Sequence, residues 1–193
     1  MKRASEVSRF GKAMLLDTPL CDFGHKVLDF KLKSFDKKLY ARNGRVGAKG
    51  FLIAFIRNHC PYVTAIITNF VSDAKKLQSI GIHTAAIMSN NYIPHPTDST
   101  EKMCAFATQN HFGFLYLIDE TQSVSKAYGA VCTPDFFGFH SNLELPDRGR
   151  LGNLTMGKGD TLTPKLFDAV SMIAATDNGP ERQVAAMGLL SKL

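Results

Sequence analysis

Apolar and polar residues alternate along the chain in blocks that predict strands and helices in a regular order. Residues 26–34, "KVLDFKLKS", alternate with a period of two, which is typical of a half-buried strand, and "KKLYAR" at 37–42 predicts its hairpin partner. The run "GFLIAFI" at 50–56 is continuously apolar, as in a central strand covered on both faces. Residues 62–81 then repeat apolar side chains three and four positions apart, which predicts a helix that ends at Gly81.

The second half of the chain continues the alternation of strands and helices. Its predicted elements are a strand at 82–89, a helix at 99–111, a strand at 114–119, a short helix ending at Gly129, two strands within 135–140 and 146–153, and a last helix at 164–179 capped by Thr163. Asp98, with Glu101 three residues later, resembles a capping box for the helix at 99–111. Residues 1–24 show no pattern and are predicted to be irregular, and the segment after Gly179 is predicted to be an exposed or loosely docked tail.

The order of these elements predicts an α/β fold. A β-hairpin comes first, then β-α-β-α-β-α, then β-β-α, which implies a central mixed sheet flanked by helices on both faces. A chain of 193 residues is long enough for one domain with a substantial core. We therefore predict an N-terminal extension at 1–23, one domain at 24–178 and a C-terminal tail at 179–193.

Composition and charge exclude several classes of partner. Apolar residues make up 45% and charged residues 21%, as in ordinary globular proteins, and no apolar stretch approaches the ~20 residues that span a bilayer. Because no secretory leader is visible either, we expect a cytoplasmic protein with no membrane partner. The net charge is +6, but the basic residues are scattered and "KLKSFDKKLYARNGR" alternates like a solvated face. We therefore expect no nucleic-acid partner.

The four cysteines, Cys21, Cys60, Cys104 and Cys132, suggest chemistry rather than cross-links. An even count is compatible with two disulfides, but the chain is not small and has no secretory features, which favours reduced thiols with one reactive member. No CxxC motif occurs and no Cys/His group has zinc-ligand spacing. A metal site is therefore not indicated.

Cys60 is the strongest candidate for the reactive thiol. It lies between the apolar run at 50–56 and the predicted helix, with Pro61 at the first helical position. A cysteine just before a helix is close to the positive end of the helix dipole, which favours the nucleophilic thiolate, and His59 and Arg57 add positive charge nearby. The alternative is an inert buried cysteine at a strand end.

Two motifs together carry a family resemblance over roughly residues 24–177. They are Asn58-His59-Cys60-Pro61-Tyr62 and Val131-Cys132-Thr133-Pro134-Asp135, with "DETQ" and "SKAYGA" between them and Asp29-Phe30 upstream. In these motifs the chain resembles the peroxiredoxin-like branch of the alkyl hydroperoxide reductase/thiol-specific antioxidant proteins. The resemblance implies a thioredoxin-like fold, Cys60 as the reactive cysteine, a cis-proline at Pro134 facing it, and Thr133 presenting its backbone to a bound substrate.

The chain also departs from the family's patterns. Val63 stands where a thioredoxin has its second cysteine, so an internal CxxC disulfide is excluded. Ile53 and Arg57 stand where a typical peroxiredoxin has Pro and Thr or Ser, so the hydroxyl that holds a peroxide oxygen is missing. The tail Gly188-Leu189-Leu190-Ser191-Lys192 has no cysteine, unlike the Gly-Cys-Ser-Ile-Lys-Trp-like tail of the related branch.

The remaining candidates are open or weaker. Cys132 is either a thiol that resolves oxidised Cys60 or a small buried residue. Cys104 is predicted to belong to the core, and Cys21 has no assigned role. Arg150 is a candidate for stabilising the thiolate, although an ordinary surface arginine is the simpler alternative.

The leading hypothesis is a thiol-dependent oxidoreductase that reduces peroxides or disulfides through Cys60. Its expected partners are such a substrate and a thioredoxin- or glutathione-type thiol reductant, with no bound cofactor, and a homodimer is left open. The alternatives are a one-cysteine disulfide reductase and a redox-inactive binding module of thioredoxin fold.

Overall fold

The computed structural model describes residues 28–89, 96–142, 144 and 165–176, and the backbone of three further strands at 15–17, 147–149 and 187–190. The strands are β1 (Leu15–Asp17), β2 (Lys31–Ser34), β3 (Leu39–Ala41), β4 (Gly50–Phe55), β5 (Ile82–Met88), β6 (Leu115–Ile118), β7 (Cys132–Thr133), β8 (Asp135–His140), β9 (Asp147–Gly149) and β10 (Met187–Leu190). The helices are α1 (Pro61–Ser79), α2 (Thr100–Gln109), α3 (Ser123–Ala127) and α4 (Lys165–Thr176), with a 3-10 turn at Pro96–Asp98. The described part of the chain contains no helix with the length and apolar character needed to cross a bilayer.

A seven-stranded mixed sheet forms the centre of the fold, in the order β3-β2-β6-β5-β4-β8-β9. The strands β4, β5 and β6 are parallel, whereas β8 pairs with β4 and β2 with β6 in the antiparallel direction. The predicted N-terminal hairpin is β2–β3, with Lys31 opposite Ala41. The predicted α/β class is thereby confirmed.

Helices cover both faces of this sheet. Leu52 of β4 packs in one cluster with Phe70 of α1, Met103 of α2 and Val170 of α4. Residues of β4 that point the other way form a second cluster, against which Val124 of α3 packs. Because successive strand residues point to opposite faces, the continuous apolar run of β4 supplies both clusters.

Helix α1 begins and ends where the sequence predicts. Its buried residues recur at helical spacing, and Gly81 follows it with a φ of +89°, a conformation that costs little only for glycine. The helix therefore runs from the Cys60 junction to the turn into β5.

Three expectations about the local structure are wrong. Ser99, not Asp98, is the N-cap of α2, and its side chain accepts a hydrogen bond from the Lys102 amide. The segment before residue 24 and the tail after residue 179, both predicted without a strand, contain β1 and β10. These two strands pair with each other, and β10 also pairs with β7, in a second sheet of order β1-β10-β7. The domain boundaries at 23/24 and 178/179 stay predictions.

Candidate active site at the head of helix α1

Cys60 is the N-cap residue of α1, and Pro61 occupies the start of the helix. The Cys60 carbonyl accepts the amide of Thr64, which closes the first turn, and the Cys60 side chain makes no capping hydrogen bond. The first turn of α1 contains no acidic residue. The sulfur therefore lies at the positive end of a 19-residue helix, without a carboxylate in that turn to oppose its ionisation.

The thiol is buried, although the letters around it are polar. Cys60 is 0% exposed and Arg57 is 6% exposed, whereas Asn58 and His59 are half-buried. The polar residues around Cys60 suggest an exposed junction from sequence alone, but Arg57 and Cys60 are both buried. The reason is that both side chains meet the segment around Thr133, which lies more than 70 residues later in the chain.

Thr133 is the contact residue for the thiol. The Cys60 Sγ donates a hydrogen bond to the Thr133 carbonyl oxygen at 3.2 Å. The Thr133–Pro134 peptide bond is cis. The structure thus brings together Cys60, Thr133 and Pro134, which the sequence placed in two separate motifs.

Arg57 reaches the same residue from the other side. Its Nε donates to the Thr133 hydroxyl oxygen at 2.9 Å. The buried guanidinium of Arg57 therefore binds the side chain of the residue whose carbonyl accepts the thiol hydrogen bond. Arg57 is also the residue that replaces the Thr or Ser of the peroxiredoxin pattern. It fixes Thr133 and adds positive charge to the site.

The thiol hydrogen is engaged by the Thr133 carbonyl, which can accept a hydrogen bond from S–H but has no hydrogen to donate to the sulfur. A reaction at the sulfur therefore requires the S–H to leave this carbonyl.

Asp98 is a residue of this region that the sequence did not reveal. Its buried carboxylate accepts the Asn58 amide at 3.0 Å through Oδ1, and its Oδ2 lies 2.8 Å from His59 Nδ1. The His59 ring therefore faces the Asp98 carboxylate. Asp98 holds the two residues before Cys60, so we assign it a positioning role.

Tyr116 completes this network from strand β6. Its hydroxyl donates to Asn58 Oδ1 at 2.9 Å. Burial, with a smaller contribution from the negative charge of Asp98, raises the pKa of the Tyr116 hydroxyl well above its usual value. The Asn58 side chain also donates to the Thr97 carbonyl, so both ends of its amide are fixed.

The raised pKa of Tyr116 makes the fold sensitive to alkali. The unfolded chain releases this proton near pH 10, whereas the folded chain retains it. The free energy of unfolding should therefore be fully maintained below pH 10 and fall above it, by up to about 1.4 kcal/mol per pH unit for this one group. Urea unfolding between pH 8 and 11 should show a shallower fall for Tyr116→Phe; equal slopes would contradict the prediction.

Cys132 is buried next to the same turn. Its Sγ donates weakly to the Pro134 carbonyl at 3.9 Å, and the residue is 0% exposed. Cys60, Cys104 and Cys132 are all free thiols. Whether Cys132 resolves oxidised Cys60 stays a prediction.

The other sequence candidates lie elsewhere. Cys104 is exposed on α2, so its predicted place in the core is wrong; Met103 and Ala107 take the buried face of that helix. Cys21 and Arg150 lie outside the described residues. Thiol-specific labels and oxidants will therefore also react with the exposed Cys104.

A cavity of about 680 Å³ lies at the other end of the parallel strands. Phe51, His83 and Thr84, near the starts of β4 and β5, line it together with Ala74 of α1. Cys60 instead follows the end of β4 and is not among the lining residues. The cavity and the thiol are therefore separate features.

Comparison of the sequence with known families gives a match that covers most of the described domain. The AhpC/TSA family matches residues 23–148. The chain belongs to the AhpC/TSA family. Membership supports a thiol-dependent redox function for this chain, with redox substrates and a reductant as partners in general terms. No match was found among curated proteins.

Solved structures with a similar fold align over most of this chain. A hypothetical protein of Sinorhizobium meliloti 1021 is 30% identical, with a TM-score of 0.87 over 91% of this chain and 97% of its own. An uncharacterized conserved protein of Geobacillus kaustophilus is also 30% identical, with a TM-score of 0.89 over 93% of this chain and 96% of its own. The peroxidoxin BcpB of Mycobacterium tuberculosis is 17% identical, with a TM-score of 0.56 over 79% of this chain and 92% of its own, and shares the fold.

Proposed function

We propose that this AhpC/TSA protein is a peroxiredoxin-like thiol oxidoreductase that reduces peroxides or disulfides through Cys60. The observation that carries the proposal is the placement of the Cys60 sulfur at the start of α1, 3.2 Å from the Thr133 carbonyl. A helix start, a buried guanidinium and a cis-proline turn around one cysteine are typical of a reactive thiol rather than of an inert core residue.

The peroxide reaction is a two-electron transfer at sulfur. The Cys60 sulfur attacks one peroxide oxygen, an S–O bond forms and the O–O bond breaks. The thiol proton ends on the departing oxygen, so that a hydroperoxide becomes an alcohol and Cys60 becomes a sulfenic acid. With a disulfide as substrate, the same sulfur forms a mixed disulfide and releases one thiol.

A second thiol then restores Cys60. It condenses with the sulfenic acid to a disulfide and releases water. One further thiol then frees Cys60 from a mixed disulfide with an external thiol, whereas a disulfide within the chain takes two external thiols, which leave as a disulfide. The second thiol is either Cys132 or an external thiol of thioredoxin or glutathione type. We propose a cytoplasmic location, where such reductants keep thiols reduced; a homodimer stays a prediction.

Two alternatives follow from particular residues. Arg57 stands where the peroxiredoxin pattern has a hydroxyl, which favours a one-cysteine disulfide reductase over a peroxidase. The complete burial of Cys60 favours a binding module without redox activity. The chemical fate of Cys60 distinguishes all three.

The deciding experiment is mass spectrometry of the reduced protein after one equivalent of hydrogen peroxide, with dimedone present to trap sulfenic acid. We expect a dimedone adduct at Cys60, or a Cys60–Cys132 disulfide if Cys132 resolves it. The Cys104→Ser variant serves as the background, because the exposed Cys104 otherwise competes for oxidant.

Other results would point elsewhere. An unchanged Cys60 that nevertheless forms a mixed disulfide with glutathione disulfide would identify a disulfide reductase. A Cys60 that reacts with neither reagent would overturn the proposed function in favour of the binding module.

A further inference from the structure

The C-terminal strand β10 lies beside the turn that contacts the thiol. It runs antiparallel to β7, with Leu189 opposite Thr133 and Leu190 opposite Cys132. On its other side β10 pairs with β1, where Leu189 lies opposite Leu15. β10 is therefore the central strand of a three-stranded sheet and lies between β1 and β7.

The residue that β10 pairs with is the residue that the Cys60 sulfur contacts. The Thr133 carbonyl accepts the Cys60 S–H, and the next residue, Pro134, has no amide hydrogen to offer a neighbouring strand. An extended peptide that paired with the backbone of β7 at Thr133 would therefore lie next to the Cys60 sulfur. Peptides commonly bind by adding a strand to the edge of a sheet.

In this structure β10 already pairs with β7 at Thr133. Thr133 is 4% exposed and Cys60 is 0% exposed, so neither the pairing backbone nor the sulfur faces open solvent. A small molecule needs only a narrow opening to reach the sulfur. An extended polypeptide would have to pair with β7 along the side that β10 covers, so β10 must first detach from β7.

We propose that β10 covers the side of β7 next to Cys60 and thereby restricts Cys60 to small substrates. The admitted class is small hydroperoxides and low-molecular-weight disulfides, and the excluded class is disulfides held in extended polypeptide. The inference rests on the proposed function for the reaction of Cys60 and names the substrate class of that same site.

The test uses the full-length chain with a matched pair of variants, Leu189→Pro and Leu189→Ala, both in the Cys104→Ser background. Because β10 pairs with β1 on one side and β7 on the other, proline at position 189 removes one backbone hydrogen bond that holds β10 in its sheet, whereas alanine shortens the same side chain and keeps the amide. The large probe is an extended peptide whose cysteine carries a thionitrobenzoate mixed disulfide. Cys60 attacks it, a new disulfide forms, and the released thionitrobenzoate is followed by its absorbance. Hydrogen peroxide is the small probe, and mass spectrometry confirms the modified residue.

Loss of one backbone hydrogen bond shifts an opening equilibrium by up to about tenfold. We therefore expect Leu189→Pro to react up to about tenfold faster with the peptide, with little change in its rate with peroxide. Leu189→Ala should match the parent with both probes. Equal peptide rates in the two variants would overturn the proposal, as would a parent protein that reacts with the peptide as fast as with a small disulfide.

The experiment separates this inference from the proposed function. If Cys60 resists peroxide but Leu189→Pro still reacts faster with the peptide, the peroxidase proposal fails and the role of β10 stands. If Leu189→Pro does not fold, hydrogen exchange on the parent protein decides. Amides of β10 that exchange at the rate of an unpaired loop would overturn the proposal, and protected β10 amides would support it.

Discussion

Cys60→Ser is expected to lower the rate of peroxide-dependent thiol oxidation by at least about a thousandfold, because it removes the nucleophile itself. The serine hydroxyl is smaller than the thiol and can donate to the same Thr133 carbonyl, so the fold should survive. Steady-state turnover with hydrogen peroxide and a thiol reductant measures the effect. A melting curve should show that the variant is folded.

Two further cysteine variants serve as controls for the Cys60→Ser variant. Cys104→Ser should leave turnover unchanged, since the Cys104 thiol is exposed on α2. Cys132→Ser should slow turnover only if Cys132 resolves oxidised Cys60. A Cys60→Ser protein that retains the parent's rate would show that another thiol does the chemistry.

Asp98→Ala is expected to destabilise the fold by about 2–4 kcal/mol, because it leaves the partners of a buried carboxylate uncompensated. The Asn58 amide loses its acceptor, and the His59 ring loses the carboxylate 2.8 Å from its Nδ1. Urea unfolding at neutral pH measures the loss. The alkylation rate of Cys60 should change in the same variant, since both affected residues immediately precede the thiol.

Asp36→Ala provides the matched control for this prediction. The Asp36 carboxylate also accepts two hydrogen bonds, from the Lys38 amide at 2.9 Å and the Tyr40 hydroxyl at 2.7 Å, but it is exposed. Water replaces those partners when the carboxylate is removed, so the loss should be much smaller. Similar losses in the two variants would contradict the role assigned to the burial of Asp98.

The sequence predicts the elements whose residue pattern is local. The apolar run of β4 and the helical spacing of α1 depend on neighbours within one element, and both elements are found close to their predicted bounds. The placement of Cys60 at the junction follows from these two predictions together. The two-motif resemblance added the partner turn at Thr133 and Pro134, which local pattern alone does not specify.

Features that depend on contacts between residues far apart in the chain could not be predicted from the sequence. Asp98 meets Asn58 across 40 residues, and its local context resembled a helix cap. Arg57 is buried because Thr133 lies beside it, although charged residues are usually exposed. The two-residue strand β7 and its partner β10 are too short to show a period-two pattern.

The pairing of β10 with β7 has a practical consequence for handling the protein. A purification tag placed after β10 would follow the strand that pairs with Thr133, whose carbonyl contacts the thiol. A tag that pulled β10 away from β7 would change the surroundings of Cys60 and alter the measured rates. Rates measured with such a tag should therefore be compared with those of the protein from which the tag has been cleaved.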